Sequence, residues 1–385
     1  MPAEELELSI LKNNDILSVE DYLSRLKDDV KKVTLKLPRN HRTTFFKDAW
    51  ISSFIATASY GRDLVITDWN DHSGDEELYE RFSSSLIGIT SAFVAKEIND
   101  ISHRQFKFDL KDIVDRVVFD CDGLIEDHEA GKSFVFCCFD STQESLNYPT
   151  PYSLDANSKE QFIRKFLDIK RDRIDHTNEK GSAHQLAFTH ESDLELASLI
   201  CELYDNTLHH GRYDEHNQII SGVRSVTIRR HVSHDTKKQL LERAKPFKEL
   251  ENYISMINQK KNLHFYEISI SDNGIGIIKR FANTRPELYR SHNMDDVSDA
   301  EKINRIIRRN LSSKLYPGSG LGLTLAFENL KNRKGFVSLR TDEQWLYFDG
   351  TMGNLHKENL LQPVKHKGAL SRVTGTHYNI LIPVS

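Results

Sequence analysis

Tyr266-Glu-Ile-Ser-Ile-Ser-Asp272-Asn273-Gly274-Ile275-Gly276-Ile277 opens with alternation, Ile268 and Ile270 on one side and Ser269 and Ser271 on the other. A period of two rich in β-branched residues predicts a half-buried strand. The strand runs into Asp-Asn-Gly-Ile-Gly, whose glycines permit positive φ and a close approach of backbone to a flat ligand. A carboxylate at the strand end beside such a backbone suits an exocyclic amine, for example N6 of adenine. Taken alone, Asp-x-Gly-x-Gly reads better as a hairpin turn.

Three further stretches change that balance. Upstream stands Glu195-Leu-Ala-Ser-Leu-Ile-Cys-Glu202-Leu-Tyr-Asp205-Asn206-Thr-Leu-His209-His210-Gly211. Downstream stand Pro317-Gly318-Ser319-Gly320-Leu321-Gly322-Leu323 and Gly375-Thr376-His-Tyr-Asn-Ile-Leu-Ile-Pro383. In this order the four boxes resemble the GHKL ATPases, which include the gyrase B subunit, a heat-shock chaperone, the mismatch-repair ATPases and the histidine kinases. The resemblance covers roughly the C-terminal half of the chain. It implies a Bergerat ATP-binding fold over 182–385, a two-layer α/β sandwich of a mixed sheet with helices on one face. It also implies a lid over about 277–317.

Helical spacing from Leu194 to His210 aligns Glu195, Glu202, Asn206 and His209, with Leu196, Leu199, Ile200 and Leu203 buried. A helix with a solvated polar face has the same pattern. What the resemblance implies is sharper. Asn206 binds Mg²⁺ through its amide oxygen, a hard ligand of the kind magnesium accepts. Glu202, one turn earlier, holds or deprotonates the water that attacks the γ-phosphate. Asp272 reads adenine, with Gly274 and Gly276 beside it. Gly318, Gly320, Leu321 and Gly322 resemble the phosphate loop of the histidine kinases, where backbone N–H groups and a following helix N-terminus face phosphate. Thr376 closes the site from the last strand, and Lys314 or Arg309 reaches the γ-phosphate from the lid. Gly-x-Gly-x-Gly after Pro317 fits neither the Rossmann fingerprint nor, lacking Gly-Lys-Ser/Thr, a Walker loop.

The first 175 residues read as a separate α/β domain without a catalytic constellation. Expected elements are a helix capped by Ser18 and Asp21 and running to about Lys31, then a strand Val33 to Leu37. A helix Thr43 to Ser59 follows, with Trp50, Phe54 and Ala58 on one face. After it come a strand Asp63 to Asp68, a long helix Glu76 to Ile98, and a strand Ser133 to Phe139 covered on both faces. Asn157 caps a helix to about Arg173, and Arg171 to Gly181 is the expected linker. Lys237 to Asn258 reads as a helix inserted within a longer 212–264 stretch, a candidate partner surface.

The chain has 385 residues, 38% hydrophobic and 28% charged, with a formal net charge of −5. That length suits two domains, and that charge argues against a large nucleic-acid footprint. Cys121, Cys137, Cys138 and Cys201 form no Cys-x-x-Cys pair, so neither a zinc site nor a disulfide framework is expected. The acidic opening residues carry no apolar secretion core, and no run suits a membrane span. A cytoplasmic protein is expected. No His-Glu-x-x-x-Pro box precedes the ATPase half, since His184 and His190 lack that context. Three functions remain open: a slow Mg-ATPase switch acting on a protein partner, a serine or histidine protein kinase of the anti-sigma-factor type, and a non-hydrolysing ATP sensor. A homodimer is compatible with each.

Overall fold

The computed structural model describes residues 4–11, 15–37, 45–68, 82–83, 85–99, 105–106, 109–119, 124–128, 131–148, 163–164, 166–167, 190–231, 237–257, 264–308, 311, 321–352 and 360–384. It is an α/β structure with two sheets among these residues. The first contains β1 (Glu4–Ser9), β2 (Val30–Leu37), β3 (Asp63–Asp68) and β4 (Glu97–Asn99), parallel and in chain order, with β5 (Gln105–Phe106) antiparallel at the edge. Helices α1 (Ile16–Ser24), α2 (Lys47–Ser59) and α3 (Leu86–Val94) lie between these strands, and α4 (Leu110–Phe119) follows β5. Right-handed crossovers in sequential order carry connecting helices to one face of a sheet. On the other face Lys32 pairs with Glu5 at 2.7 Å and Lys36 with Glu7 at 2.5 Å, all four well exposed.

Asp15, rather than Ser18, is the N-cap of α1. Its carboxylate accepts from the Ser18 amide and hydroxyl at 2.9 Å, which shifts the expected cap by one turn. The helix stops at Ser24, well before Lys31, because β2 already begins at Val30. The long helix expected to reach Ile98 ends at Val94, and Glu97–Asn99 pairs with β3.

The second sheet is antiparallel throughout its described ladders, in the order β12-β11-β10-β13-β9-β8-β7-β6. Its strands are β6 (Leu124–His128), β7 (Gly131–Asp140), β8 (Gly222–His231), β9 (His264–Ser271), β10 (Phe336–Asp342), β11 (Gln344–Asp349), β12 (Gln362–Pro363) and β13 (Val373–Val384). The mixed sheet expected here is therefore corrected to an antiparallel one. Nor does a break near 175–182 divide the sheets. β6 and β7 join the second sheet because the apolar run Phe134 to Phe139 needs cover on both faces. Phe134 and Cys138 enter one core, and Val135, Cys137 and Phe139 enter the other.

Those two cores lie on opposite faces of the second sheet. One holds Tyr266, Ile268 and Ile270 of β9 under α5 (His190–His210) and α11 (Leu321–Asn332). The other joins Phe265, Trp345 and Leu381 to Trp50, Phe54 and Ile55 of α2 and to strands of the first sheet. Helices thus cover both faces, not one. The first residues share a core with the second sheet instead of standing apart. Composition explains α2: after Asp48 it carries no charge, and from Ala49 to Ala58 each side chain is buried. A helix buried all round belongs between two layers. The serine side of β9 is accordingly covered as well, so the strand is fully buried rather than half-buried.

Lys237 to Asn258 resolves into α6 (Lys237–Ala244) and α7 (Lys248–Met256), separated at Pro246. Their apolar sides, including Leu240, Leu250 and Tyr253, complete the core around Phe336 and Trp345. Over the expected lid, α8 (Ile277–Thr284), α9 (Pro286–Ser291) and α10 (Asp299–Arg308) pack around Phe281, Met294 and Ile306. Ile303 and Ile307 anchor this unit in the α5 side core, and the Asn304 side chain exchanges hydrogen bonds with the Leu361 backbone at 2.8 and 3.0 Å. Residues 277–308 are thus packed structure. The rest of the lid apart from Leu311, Asn157 with most of its helix, and the Arg171–Gly181 linker lie outside the described residues.

Charges seal the layers together. Arg229 of β8 pairs with Asp48 of α2 and lies near Glu267 of β9, which meets His231 Nε2 at 2.8 Å. Arg340 of β10 grips Glu20 of α1 at 2.9 and 3.2 Å, with both side chains almost wholly buried. Breaking one partner of a buried pair leaves an uncompensated charge and costs about 3–5 kcal/mol. Glu20→Gln is expected to lose stability on that scale in denaturant unfolding. Asp63→Asn, which breaks an exposed pair with Lys96, is expected to change it by less than about 1 kcal/mol.

Candidate functional site

The turn after β9 is held by three neighbours. Strand β13 supplies the first: the Asp272 amide donates to the Thr376 carbonyl at 3.1 Å, and the Thr376 amide donates to Asp272 Oδ1 at 3.0 Å. The Gly274 amide also donates to Oδ1 at 3.1 Å. Both amide bonds use one oxygen of the carboxylate, and neither uses Oδ2. The second neighbour is the end of α5, where Gly211 lies so close to Asp272 that a Cβ would stand on that side chain. Gly274 in turn rests on Gly211 and on the His210 carbonyl. Gly276, at φ +87°, then turns the chain into α8.

The third neighbour is a buried charge cluster behind the turn. Asp140, at the end of β7, accepts from Arg224 at 2.6 and 3.3 Å, and Arg212 approaches it at 3.1 Å. Arg224 also donates to the Thr207 hydroxyl of α5 at 3.3 Å. Asn273 Oδ1 accepts from the Val223 amide at 2.8 Å and so ties the turn to β8. Thr341 of β10 donates to the Gly375 carbonyl at 3.1 Å and receives the Ile277 amide at 3.3 Å. Sequence reading gave no role to Asp140, Arg212, Thr207 or Thr341, and none to Asn273 beyond its place in the Asp-x-Gly-x-Gly turn. Arg224 escaped it as well, although a charge amid Val223, Val226 and Ile228 is a signal the sequence carries.

Asp272 lies deep in this frame. Burial pushes its carboxyl up to about 7, against the pull of the Gly274 and Thr376 amides and of Arg224. The group is thus poised between its acid and carboxylate forms near neutral pH.

Helix α5 presents Glu202, Asp205, Asn206 and His209, all half-buried, along its C-terminal half. His209 Nε2 stands 3.4 Å from Asp205. Glu195 plays a different part: it pairs with Arg333, just past the end of α11, at 2.8 Å. Leu196, Leu199, Ile200 and Leu203 share a core with Ala326, Phe327 and Leu330, so the two helices overlap and run antiparallel. At 1.5 Å per residue, the twelve residues of α11 reach back about 18 Å. Its N-terminus stands at Leu321 and Gly322. Gly318, Gly320, Lys314 and Arg309 lie outside the described residues.

Opposite, Arg280 of α8 fixes the loop that follows α5. It lies 4.3 Å over the Tyr213 ring, bonds Asn217 Oδ1 at 2.5 Å and donates to the His209 carbonyl at 3.3 Å. The described residues therefore give one deeply buried carboxylate at the turn and a half-buried Glu–Asn pair one helical turn apart on α5, the helix whose end seats that turn. Among the described residues no helix is long and apolar enough to cross a membrane. Comparison with family models, curated proteins and solved structures finds no match.

The raised Asp272 pKa sets the sign of a pH effect. The protonated form is favoured in the fold, so its contribution is full below the ordinary value of 3.8 and is lost as pH rises through about 7. Wild-type stability is expected to fall across that window relative to Asp272→Asn, by an amount on the order of 4 kcal/mol. Urea unfolding of both proteins at several pH values measures it.

Proposed function

We propose that this chain binds ATP with Mg²⁺ in a Bergerat-type unit and acts as a slow ATPase switch for a protein partner. The observation that carries the reading is convergence. Three of the four sequence boxes, far apart in the chain, meet where Gly211, Asp272, Gly274 and Thr376 touch. A hairpin turn alone accounts for neither the burial of Asp272 nor the seat that α5 makes for it.

In this reading Asp272 Oδ2 accepts the adenine amine while Oδ1 stays with its two amides. Gly274 and Gly276 let the turn pack tightly on Gly211 and Asp342 beside the base, and Thr376 holds the carboxylate from β13. Asn206 presents an amide oxygen to Mg²⁺, which when bound neutralises phosphate charge. Glu202, four residues earlier on the same helix, orients a water and takes its proton. The N-terminus of α11, with Leu321 and Gly322, directs backbone donors toward phosphate, joined by Gly318 and Gly320. Lys314 is the candidate cation for the γ-phosphate. The partner is met through the N-terminal layer or the outward side of the 212–264 stretch, in a cytoplasmic setting.

Phosphate release by purified protein at saturating Mg-ATP tests the reading. Glu202→Gln is expected to lower turnover by about 10²–10⁴ with ATP affinity kept. Turnover absent from the wild type while ATP binds tightly would replace the ATPase by a kinase, if label passes to a partner, or by a sensor, if it does not. Asn206→Ala is expected to lose the Mg²⁺-dependent part of affinity. Calorimetry on Asp272→Asn is expected to show ATP binding weakened by roughly ten- to a hundredfold. A donor amine favours the ionised carboxylate, so wild-type adenosine affinity is expected to rise as pH passes through about 7. The same titration on Asp272→Asn is expected to be flat, and equal slopes would remove Asp272 from the site.

A further inference from the structure

The strand that holds Asp272 is itself held from behind. On β13, Thr376 faces the site, while its neighbour His377 faces α2. His377 Nε2 lies 2.8 Å from the Ser53 hydroxyl and 2.8 Å from the Thr374 carbonyl. A carbonyl only accepts, so the ring carries its proton on Nε2. Burial pushes the pKa of His377 down to about 4, which keeps the ring neutral. One turn along α2, the Thr57 hydroxyl donates to the Ser53 carbonyl at 2.8 Å and accepts the Thr374 amide at 3.1 Å. Its proton being committed, the Thr374 hydroxyl at 3.2 Å is the donor in their contact. All of these groups are buried.

A second grip converges on the same place. Arg340, paired with Glu20 of α1, donates to the carbonyls of Asp342 and Ser371. Those carbonyls flank Thr341 and the start of β13. Thus α1 and α2 each send polar contacts to the strand ends that carry Thr341, Gly375 and Thr376. Here the hydroxyl contacts of α2 gather on the residues on either side of Gly375 and Thr376.

We propose that the N-terminal layer is coupled to the nucleotide site through α2, with Ser53 and Thr57 acting as positioning residues for β13. The coupling rests on the nucleotide reading of that site. Binding that orders Asp272 and Thr376 tightens the seat of α2, and by linkage any partner that shifts α2 changes nucleotide affinity by the same factor. The N-terminal layer is then the regulatory input to the site rather than a neighbouring domain.

The test uses the full chain with Mg-ADP, which avoids turnover, and compares wild type, Thr57→Val, Thr57→Ser, Ser53→Ala and Asp272→Asn by calorimetry. Hydrogen exchange over 47–59 is followed with and without nucleotide. Thr57→Val is expected to weaken Mg-ADP binding about five- to tenfold, and Thr57→Ser, which keeps the hydroxyl, to restore it. Nucleotide is expected to slow exchange in α2 of the wild type and not of Thr57→Val. Should Thr57→Val fail to fold, Ser53→Ala carries the same comparison. If Asp272→Asn weakens binding while the α2 variants bind as wild type and α2 exchange ignores nucleotide, the coupling is overturned and the site stands. If the wild type does not bind, or Asp272→Asn binds equally well, the site reading falls and the coupling with it.

Discussion

The second sheet is buried on both faces, and its back face carries charge. Arg229, Glu267, His231 and Arg340 project toward the N-terminal layer, where Asp48 and Glu20 meet them. Without that layer these groups would be solvated, as a sheet with one covered face expects. With it they are desolvated, and each requires its partner in place. Register between the two layers is therefore specified by charge as much as by the apolar contacts of Trp50 with Trp345 and of Phe45 with Phe265.

The same constraint reaches the site. Asp272 is held by amides, by the close approach of Gly211, and by the Asp140–Arg224–Thr207 chain that joins β7, β8 and α5. None of these contacts stands alone, since β8 bears both Arg224 on the site side and Arg229 on the back. A shift of β8 relative to α2 would be felt at both. Burial of the carboxylate, which raises its pKa toward neutrality, is the chemical result of this crowding.

Sequence patterns were reliable where one segment governs itself. Alternation placed β9, the Leu-Val-Ile-Thr centre placed the strand at 63–68, helical periodicity placed α5, and the apolar run at 134–139 implied two covered faces. Cys137 and Cys138 point to opposite cores, as adjacent strand residues must. Asp272, Gly274 and Gly276 carried local signals, glycine spacing and a strand-end carboxylate, and became candidates once the other boxes stood beside them, whereas Thr376 entered through the resemblance alone. The charges that support them carry no such signal: Asp140 at a strand end looks like any solvated carboxylate until Arg224 and Arg212 arrive. The cap of α1 was misplaced because Asp15 and Ser18 form the box, whereas Ser18 and Asp21 merely share its spacing.

What the sequence by itself determined is the local chemistry: the strand into Asp272, the two tight glycines of that turn, the amphipathic α5 with Glu202 and Asn206, and the α/β character of both halves. Only the tertiary structure decided how the halves meet. Alternation says which side chains share a face but not what covers that face. Ser269 and Ser271 look outward by composition, yet they are buried because α2, uncharged after Asp48, fills the space behind them. Likewise β6 and β7 precede the expected boundary but complete the second sheet, since strand pairing depends on which edge is open in space rather than on nearness along the chain.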